Sequence, residues 1–312
     1  MKICMLGAGA LGCSIGGTLA AGGSDVILLD SFQTHVDAIN ASGLKMRVGE
    51  EERVVKVKAY SDCRGLAPVD LIIVLVKSFH TAAAITSAAP IIGKDTMVMS
   101  IQNGLGHEEI LADAVGREHV LAAKTYVGGV FLEPGHIISS AKGKHTYLGE
   151  LDGKLTPRLQ AIVDEFNQAG LLATASTNIY GTMWDKLLVN VATGALCGIT
   201  KLPYGGLYSV PEIESCALAA VAEGIAIAKA NNITLTSEDP TYFWTLAAEG
   251  LPPEFKTSML QSLEKGELTE VDFINGSVVR WGERSGIPTP VNQTLLACTR
   301  GIEHWMANYA RK

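Results

Sequence analysis

Apolar positions fall into two regimes along the chain. In the first half, short continuous apolar runs recur: Lys2 to Leu6, Asp25 to Asp30 (DVILLD), Asp70 to Val76 (DLIIVLV), Met97 to Ile101 (MVMSI) and Glu118 to Ala122 (EHVLA). Runs of this length, rich in Val, Ile and Leu, suit strands buried on both faces, as in a parallel sheet. Val54 to Lys58 (VVKVK) alternates apolar and polar residues and reads as a further strand. Helix-compatible stretches lie between several of these runs, such as Ala10 to Ala21 and Thr81 to Ala88. Strand–helix–strand alternation predicts an open α/β sheet with right-handed crossovers. Gly128 to Gly149 carries Gly128-Gly129, Pro134-Gly135 and Gly143, and predicts hairpins closing that sheet on one edge.

The second regime is helical. Leu155 to Ala169 has apolar residues at helical spacing and ends at Gly170. Met183 to Cys197, Val210 to Ala230, Phe255 to Lys265, Thr269 to Arg284 and Pro290 to Ala310 follow as predicted helices. The chain of 312 residues has room for two domains. The expected division is an α/β domain over residues 1–175 and an all-helical domain over 176–312, with the boundary near Ser176. No low-complexity linker marks it, and there is no solenoid repeat.

Composition narrows the class. Apolar residues at 47% and charged residues at 18% describe a globular chain rather than a disordered one. A formal net charge of −7 gives no electrostatic case for nucleic-acid binding. No run of about 18 uncharged apolar residues is present, so no membrane span is expected. Met1 to Leu6 leads straight into a glycine motif, where a signal peptide would need an h-region and cleavage site. The six cysteines, Cys4, Cys13, Cys63, Cys197, Cys216 and Cys298, are scattered and form no C-x-x-C, so reduced thiols in a cytoplasmic protein are expected. The seven histidines show no H-x-x-x-H spacing, and no metal site is expected.

Residues 7–12, Gly7-Ala8-Gly9-Ala10-Leu11-Gly12, read G-x-G-x-x-G. The pattern alone is weak in a chain with 33 glycines; its context carries the weight. It follows a predicted strand, opens a predicted helix and precedes a second strand, the arrangement of a Rossmann-type doubly wound sheet that binds a dinucleotide. Gly7 permits the tight turn, Gly9 lets a pyrophosphate approach the backbone, and Gly12 allows close helix–strand packing. The helix N-terminus offers free N–H groups to the anion. Asp30 ends the second strand, where a carboxylate accepts from the adenosine ribose of NAD and repels the 2′-phosphate of NADP. No arginine follows it in Ser31-Phe32-Gln33-Thr34. NAD is therefore the expected cofactor and NADP the competing one, while a turn or helix-cap aspartate is the plainer reading of Asp30. Lys77 and Asn103-Gly104 follow strands at the edge where such sheets bind ligands, although an ordinary turn explains Asn103-Gly104 equally well.

Met183 to Cys197 reads M-W-D-K-L-L-V-N-V-A-T-G-A-L-C. Lys186 and Asn190 are four apart and share a helix face, with Gly194 next on it. A lysine near apolar walls can become a proton donor near neutrality. A lysine snorkelling to solvent beside a simple hydrogen-bonding asparagine is the plainer reading.

Six segments carry a resemblance over nearly the full length: MKICMLGAGALG; DLIIVLVKSF; IQNGLG followed by HEEIL; VGGVFLEPGHI; MWDKLLVN; and KTSMLQSLEKGELTEVDFINGSVV with SGIPTP. The chain resembles the ketopantoate reductase (2-dehydropantoate 2-reductase) family. The resemblance implies an N-terminal Rossmann domain, a helical C-terminal domain, and reduction of a 2-keto acid by a nicotinamide cofactor on the way to pantothenate. It implies that Lys186 is the catalytic proton donor and Asn190 a substrate-binding asparagine. It places Asn103 at both cofactor and substrate, Lys77 at the cofactor, Ser258 at the start of a substrate-binding stretch through Gln261, and Glu270 at the cofactor–substrate junction. The family often has a second asparagine where this chain has Gly194, and its NADPH-using members usually carry an arginine where this chain has Ser31.

The competing enzyme readings are an NAD-dependent, mandelate-like 2-hydroxyacid dehydrogenase and a 3-hydroxyacid dehydrogenase with a Lys-x-x-x-Asn helix. A dinucleotide sensor without turnover has no need of Lys186, Asn190 and Glu270 together. The expected partner is a small 2-keto acid, and a homodimer is compatible with the sequence. Trp184, Tyr204 and Trp244 are candidates for shaping the pocket.

Overall fold

The computed structural model describes residues 1–310. It divides into two compact units, one formed by residues 1–102 and 107–179, the other by 103–106 and 180–310. The short segment Asn103–Gly106 thus belongs with the second unit although its chain neighbours belong to the first.

The first unit is built on an eight-stranded sheet. Strands β1 (Lys2–Leu6), β2 (Asp25–Leu29), β5 (Lys58–Tyr60), β6 (Val69–Val74), β7 (Ile92–Ser100) and β8 (Val120–Thr125) run parallel in the order β5-β2-β1-β6-β7-β8. This is the doubly wound Rossmann order, whose direction reverses between β1 and β6. Strand β11 (His145–Glu150) adds antiparallel to β8, and β12 (Leu172–Ala175) adds parallel to β11. Helices α1 (Ala10–Ala21), α2 (Gln33–Ser42), α3 (Thr81–Ser87), α4 (His107–Val115) and α5 (Pro157–Gln168) connect these strands. Both faces of the sheet are covered, which explains the continuous apolar runs. In β1, Ile3 and Met5 enter one core with Ile15 and Leu28, while Cys4 and Leu6 enter the other with Ile72 and Val74.

A second sheet of four strands has the order β4-β3-β10-β9, from β3 (Leu44–Val48), β4 (Glu51–Val55), β9 (Gly129–Glu133) and β10 (His136–Ser139). This corrects two expectations. The VVKVK stretch is not one strand: Val54 and Val55 end β4, and Lys58 opens β5 in the other sheet. The glycine-rich stretch supplies only β11 to the main sheet, while the β9–β10 hairpin pairs with β3, His136 lying opposite Lys45. The small sheet packs on α1, where a Cβ on Gly17 would fall 2.8 Å from the Leu44 side chain.

The second unit is helical: α6 (Ile179–Thr200), α7 (Tyr204–Leu207), α8 (Pro211–Ala230), α9 (Pro240–Ala248), α10 (Ser258–Glu264), α11 (Asn275–Ser285) and α12 (Pro290–Asn308). Local chemistry sets their ends. Pro211, Pro240 and Pro290 open helices, where a missing N–H costs nothing. Asp239 caps α9 through the Thr241 amide at 2.9 Å. The Glu223 carboxylate on α8 accepts the Val291 and Asn292 amides at 2.8 and 3.0 Å, capping α12 from a neighbouring helix. The stretch Thr269 to Arg284 is not one helix: it breaks at Ile274 (φ −105, ψ −91) before α11 begins. Among the described residues no helix is long and apolar enough to cross a membrane, and no group of three or more His, Cys, Asp or Glu is placed to hold a metal. None of the six cysteines is in a disulfide. Burial pushes the Cys4 thiol up to about 12 and the Cys197 thiol up to about 11, so neither is a ready thiolate.

Candidate functional site

In the first unit the glycine motif sits at the point where strand order reverses. Gly7 leaves β1 with φ +101, a conformation that favours glycine, and a Cβ there would lie 2.6 Å from the Val76 amide nitrogen. A Cβ on Gly12 would lie 2.0 Å from the Gly7 carbonyl oxygen, so α1 can approach the turn only as glycine. Gly9 is different: a Cβ there meets nothing within 4 Å. Gly9 is exposed at the N-cap of α1 and leaves open space before the first helical amides, at Ala10 and Leu11. Tightness at positions 7 and 12 with openness at 9 is what an anion-cradling turn requires.

Asp30 lies beside this turn and holds it. Its Oδ2 accepts the Ala8 amide at 2.8 Å and its Oδ1 accepts the Phe32 amide at 2.9 Å. The turn reading and the ligand reading of Asp30 are therefore compatible, because each oxygen keeps a lone pair free. The carboxylate also borders a cavity of about 490 Å³ lined by Gly7, Asp30, Ser31, Asp62, Val76 and His80, among others. Among the described residues its lining contains no lysine or arginine. Lys77 is exposed just beyond β6, at the N-cap of a short helical turn over Ser78–His80.

Gln102, given no role in the sequence analysis, precedes Asn103. It is buried, and its amide donates to the Val76 carbonyl at 2.6 Å while its Oε1 accepts from Ser100 Oγ at 2.8 Å. It thereby ties the loop after β6 to the end of β7. A buried amide in an I-Q-N-G stretch was the available signal.

In the second unit, Lys186 and Asn190 lie one turn apart on α6, both partly exposed, between the buried pairs Leu187-Leu188 and Val191-Ala192. Trp184, with no exposed surface, anchors the start of this stretch against Trp281, ring centroids 5.7 Å apart. Asp185 accepts the Thr236 amide and hydroxyl at 3.0 and 2.6 Å, fixing the other side of the helix. Burial raises the Asp185 pKa, against the lowering effect of those two hydrogen bonds. Trp184, Tyr204 and Trp244 are all buried: Tyr204 reaches Thr193 Oγ1 at 3.2 Å and Trp244 stacks on Tyr208. They build the interior of the unit.

The segments that carry Asn103 and Glu270 are joined through backbone. The Leu105 amide donates to the Phe273 carbonyl at 2.9 Å, and Ser277 Oγ donates to the Leu105 carbonyl at 2.9 Å. Glu270 begins the short turn that carries Phe273, whose amide donates to the Glu270 carbonyl at 2.9 Å. Gly104, at φ +90, touches the same carbonyl, and a Cβ there would be 2.2 Å from Phe273 O. The T-E-V-D-F-I-N-G stretch thus works as a frame: Thr269 binds Glu303, Asp272 pairs with Arg300, and Asn275 binds Asn292 at 2.9 Å. Ser258 is exposed at the first position of α10, after the Thr257 cap. Its neighbour Met259 is buried, with its methyl 3.5 Å from where a Gly194 Cβ would stand.

A doubly wound sheet with an open glycine turn, followed by an all-helical unit carrying a Lys–Asn helix, defines the architecture of two-domain dehydrogenases. Residues 3–153 match the family Ketopantoate reductase PanE/ApbA, and residues 178–303 match its C-terminal domain. The chain belongs to the ketopantoate reductase family of oxidoreductases. It is 34% identical to the 2-dehydropantoate 2-reductase of Pyrococcus horikoshii, covering 97% of this chain and 98% of that one. It is 31% identical to the corresponding protein of Archaeoglobus fulgidus, covering 97% and 98%. The crystal structure of a PanE/ApbA family ketopantoate reductase from Ralstonia eutropha superposes with a TM-score of 0.90 at 34% identity, covering 99% and 100%. D-mandelate dehydrogenase, in a ternary structure with NADH and anilino(oxo)acetate, superposes with a TM-score of 0.89 at 27% identity, covering 98% and 100%.

Proposed function

We propose that this protein reduces a 2-keto acid, ketopantoate or a related branched acid, with NADH, using Lys186 as the proton donor. The observation that carries the reading is the shared face of Lys186 and Asn190, one turn apart and partly exposed on a helix whose neighbouring Leu187, Leu188, Val191 and Ala192 are buried; the resemblance to the family makes these its catalytic positions. The fit of the first unit to a dinucleotide rests on its open Gly9 turn and the adjoining cavity. Gly7 to Gly12 would hold the pyrophosphate, with Asp30 at the adenosine ribose and Lys77 and Asn103 further along the cofactor. The bound nicotinamide supplies the hydride that reduces the keto carbon.

The chain's own groups do the rest. Negative charge grows on the keto oxygen as the carbon is reduced, and the Lys186 ammonium stabilises it and delivers a proton. Asn190, Asn103 and Ser258 orient the substrate by hydrogen bonds, and Glu270 sets the geometry of the Asn103 segment. NAD is favoured over NADP because the Asp30 carboxylate borders a cavity whose lining, among the described residues, holds no lysine or arginine for a 2′-phosphate.

Lys186→Ala tests the assignment. Its kcat should fall by about 10²–10⁴-fold, the range for one positioned general acid, with little change in cofactor binding. A variant that keeps near-parental kcat removes Lys186 from the role. A second reading, a mandelate-like substrate, is supported by Gly194, which leaves no hydrogen-bonding side chain at a family asparagine position.

A further inference from the structure

One buried imidazole joins the glycine turn to a hairpin a hundred residues away. His35, in the first turn of α2, is 1% exposed. Its Nδ1 lies 2.9 Å from the amide nitrogen of Gly135, in the β9–β10 turn. A backbone amide can only donate, so Nδ1 carries the lone pair and the ring proton resides on Nε2. Nε2 lies 2.9 Å from the Ala8 carbonyl oxygen and donates to it. The Cys13 thiol donates to the same oxygen at 2.9 Å. The Ala8 amide, on the other side of that residue, donates to Asp30. Ala8 stands between Gly7 and Gly9, so the centre of the turn is gripped at both its N–H and its C=O.

The hairpin end of the link is equally fixed. The Gly135 carbonyl accepts the Lys45 amide at 2.9 Å, and a Cβ on Gly135 would press against Ala38 of α2 at 3.0 Å. Ser139 Oγ on β10 meets Ser14 Oγ on α1 at 2.6 Å. A Cβ on Gly129 of β9 would come 2.7 Å from the Ala10 carbonyl. Phe131 and Phe32 flank the imidazole, with centroids 5.0 and 6.3 Å away, and fix its plane.

We propose that His35 is a positioning residue for the phosphate-binding turn: its neutral ring couples Ala8 to the Gly135 turn, and a second proton on Nδ1 breaks that coupling and loosens the grip on the dinucleotide. The inference rests on the cofactor-site reading above. A protonated Nδ1 would set N–H against the Gly135 N–H, in a site where His35 is 1% exposed and solvent has little access to either. The ionisable groups on the surrounding elements are Cys13 on α1, Asp30 after β2, Asp37 two residues further along α2, Lys45 and Arg47 on β3, Glu52 on β4, and Glu133 and His136 on the hairpin. The His136 ring nitrogens lie 3.1 Å from a Glu52 oxygen and 3.5 Å from a Glu133 oxygen. Burial lowers the His35 pKa, opposed by the Ala8 hydrogen bond and by Asp30, so the ring is neutral at neutral pH and the coupling weakens only on acidification.

The test uses NADH binding by fluorescence titration between about pH 7.5 and about pH 5, on the parent and on His35→Gln, whose amide keeps a donor without titrating. The parent's Kd should rise about five- to tenfold over this range, and that of His35→Gln by less than about twofold. Ring ¹⁵N signals of the parent, assigned through contacts to Phe32 and Phe131, supply a readout that does not need the variant to fold. By reciprocity NADH must lower the His35 protonation midpoint, by about the same factor that acid weakens NADH. Equal pH dependence in both proteins, or a midpoint indifferent to NADH, would overturn the proposal while leaving the cofactor site standing. Absence of NADH binding at any pH would overturn both.

Discussion

Asp30 Oδ2 accepts the amide hydrogen of Ala8 at 2.8 Å, so the residue expected to choose the cofactor also holds the turn proposed to bind it. The two roles separate by mutation. Asp30→Ala should slacken the turn for both cofactors through the loss of a charge-assisted bond of about 1.5–3 kcal/mol, but weaken NADH more than NADPH, because the ribose contact and the repulsion of the 2′-phosphate go with the carboxylate. Ser31→Arg leaves the tie intact and adds a phosphate partner at the cavity lining. It should raise the NADPH/NADH ratio of kcat/KM by about tenfold or more. A ratio unmoved by Ser31→Arg would place the ribose elsewhere.

Gly104 is expected to be intolerant of any side chain. With φ +90 and a Cβ position 2.2 Å from the Phe273 carbonyl, Gly104→Ala must push Asn103 away from the turn that Glu270 begins. The backbone strain alone is about 1–3 kcal/mol. Thermal denaturation should show that loss, and kcat/KM for the keto acid should fall by about tenfold or more, as expected for an ångström-scale displacement of a positioning group. An active, fully stable Gly104→Ala would mean that the Asn103 segment does not depend on this contact.

Gly194 should be tolerant by comparison. A Cβ there stands 3.5 Å from the flexible end of Met259, an ordinary van der Waals distance. Gly194→Asn is expected to fold, and to favour a small polar keto acid over a bulky one by about 1–3 kcal/mol in transition-state binding. Unchanged relative kcat/KM across a substrate series would take Gly194 out of specificity.

Acid stability depends in part on Glu150. Arg158 Nη2 and Nε donate to its two oxygens at 2.6 and 2.8 Å, and the Thr156 hydroxyl donates to Oε1 as well. Burial alone would raise the Glu150 pKa, but the Arg158 and Thr156 bonds outweigh it and the net shift is downward. A carboxylate lowered on folding contributes stability above its unfolded pKa of about 4.3 and loses it as pH falls through the folded value. Arg158→Met should therefore lower Tm at neutral pH, and the gap from the parent should narrow below about pH 4. A gap that stays constant with pH would show that Arg158 acts through packing.

What the sequence made legible follows from how local each signal is. The β1–turn–α1–β2 unit was readable because its glycines, apolar runs and Asp30 lie within thirty residues. Lys186 and Asn190 were readable as neighbours because helical spacing needs no tertiary information. The small sheet was not, because β10 pairs with β3 across about ninety residues and alternation does not say which sheet a strand joins. His35 was missed for the same reason: its partners are 27 and 100 residues away. The helix expected over Thr269 to Arg284 was broken by the demand that Phe273 present its carbonyl to Leu105.

Initial rates for a panel of 2-keto acids, ketopantoate included, with NADH and NADPH side by side, test the central claim most directly. At least one acid should be reduced with kcat/KM of about 10⁴ M⁻¹s⁻¹ or more, the ordinary range for enzymes. NADH should be favoured over NADPH, and Lys186→Ala should lose about 10²–10⁴-fold in kcat on the best acid. Failure to turn over any 2-keto acid with either cofactor would contradict the account, and a strong NADPH preference would overturn its cofactor assignment.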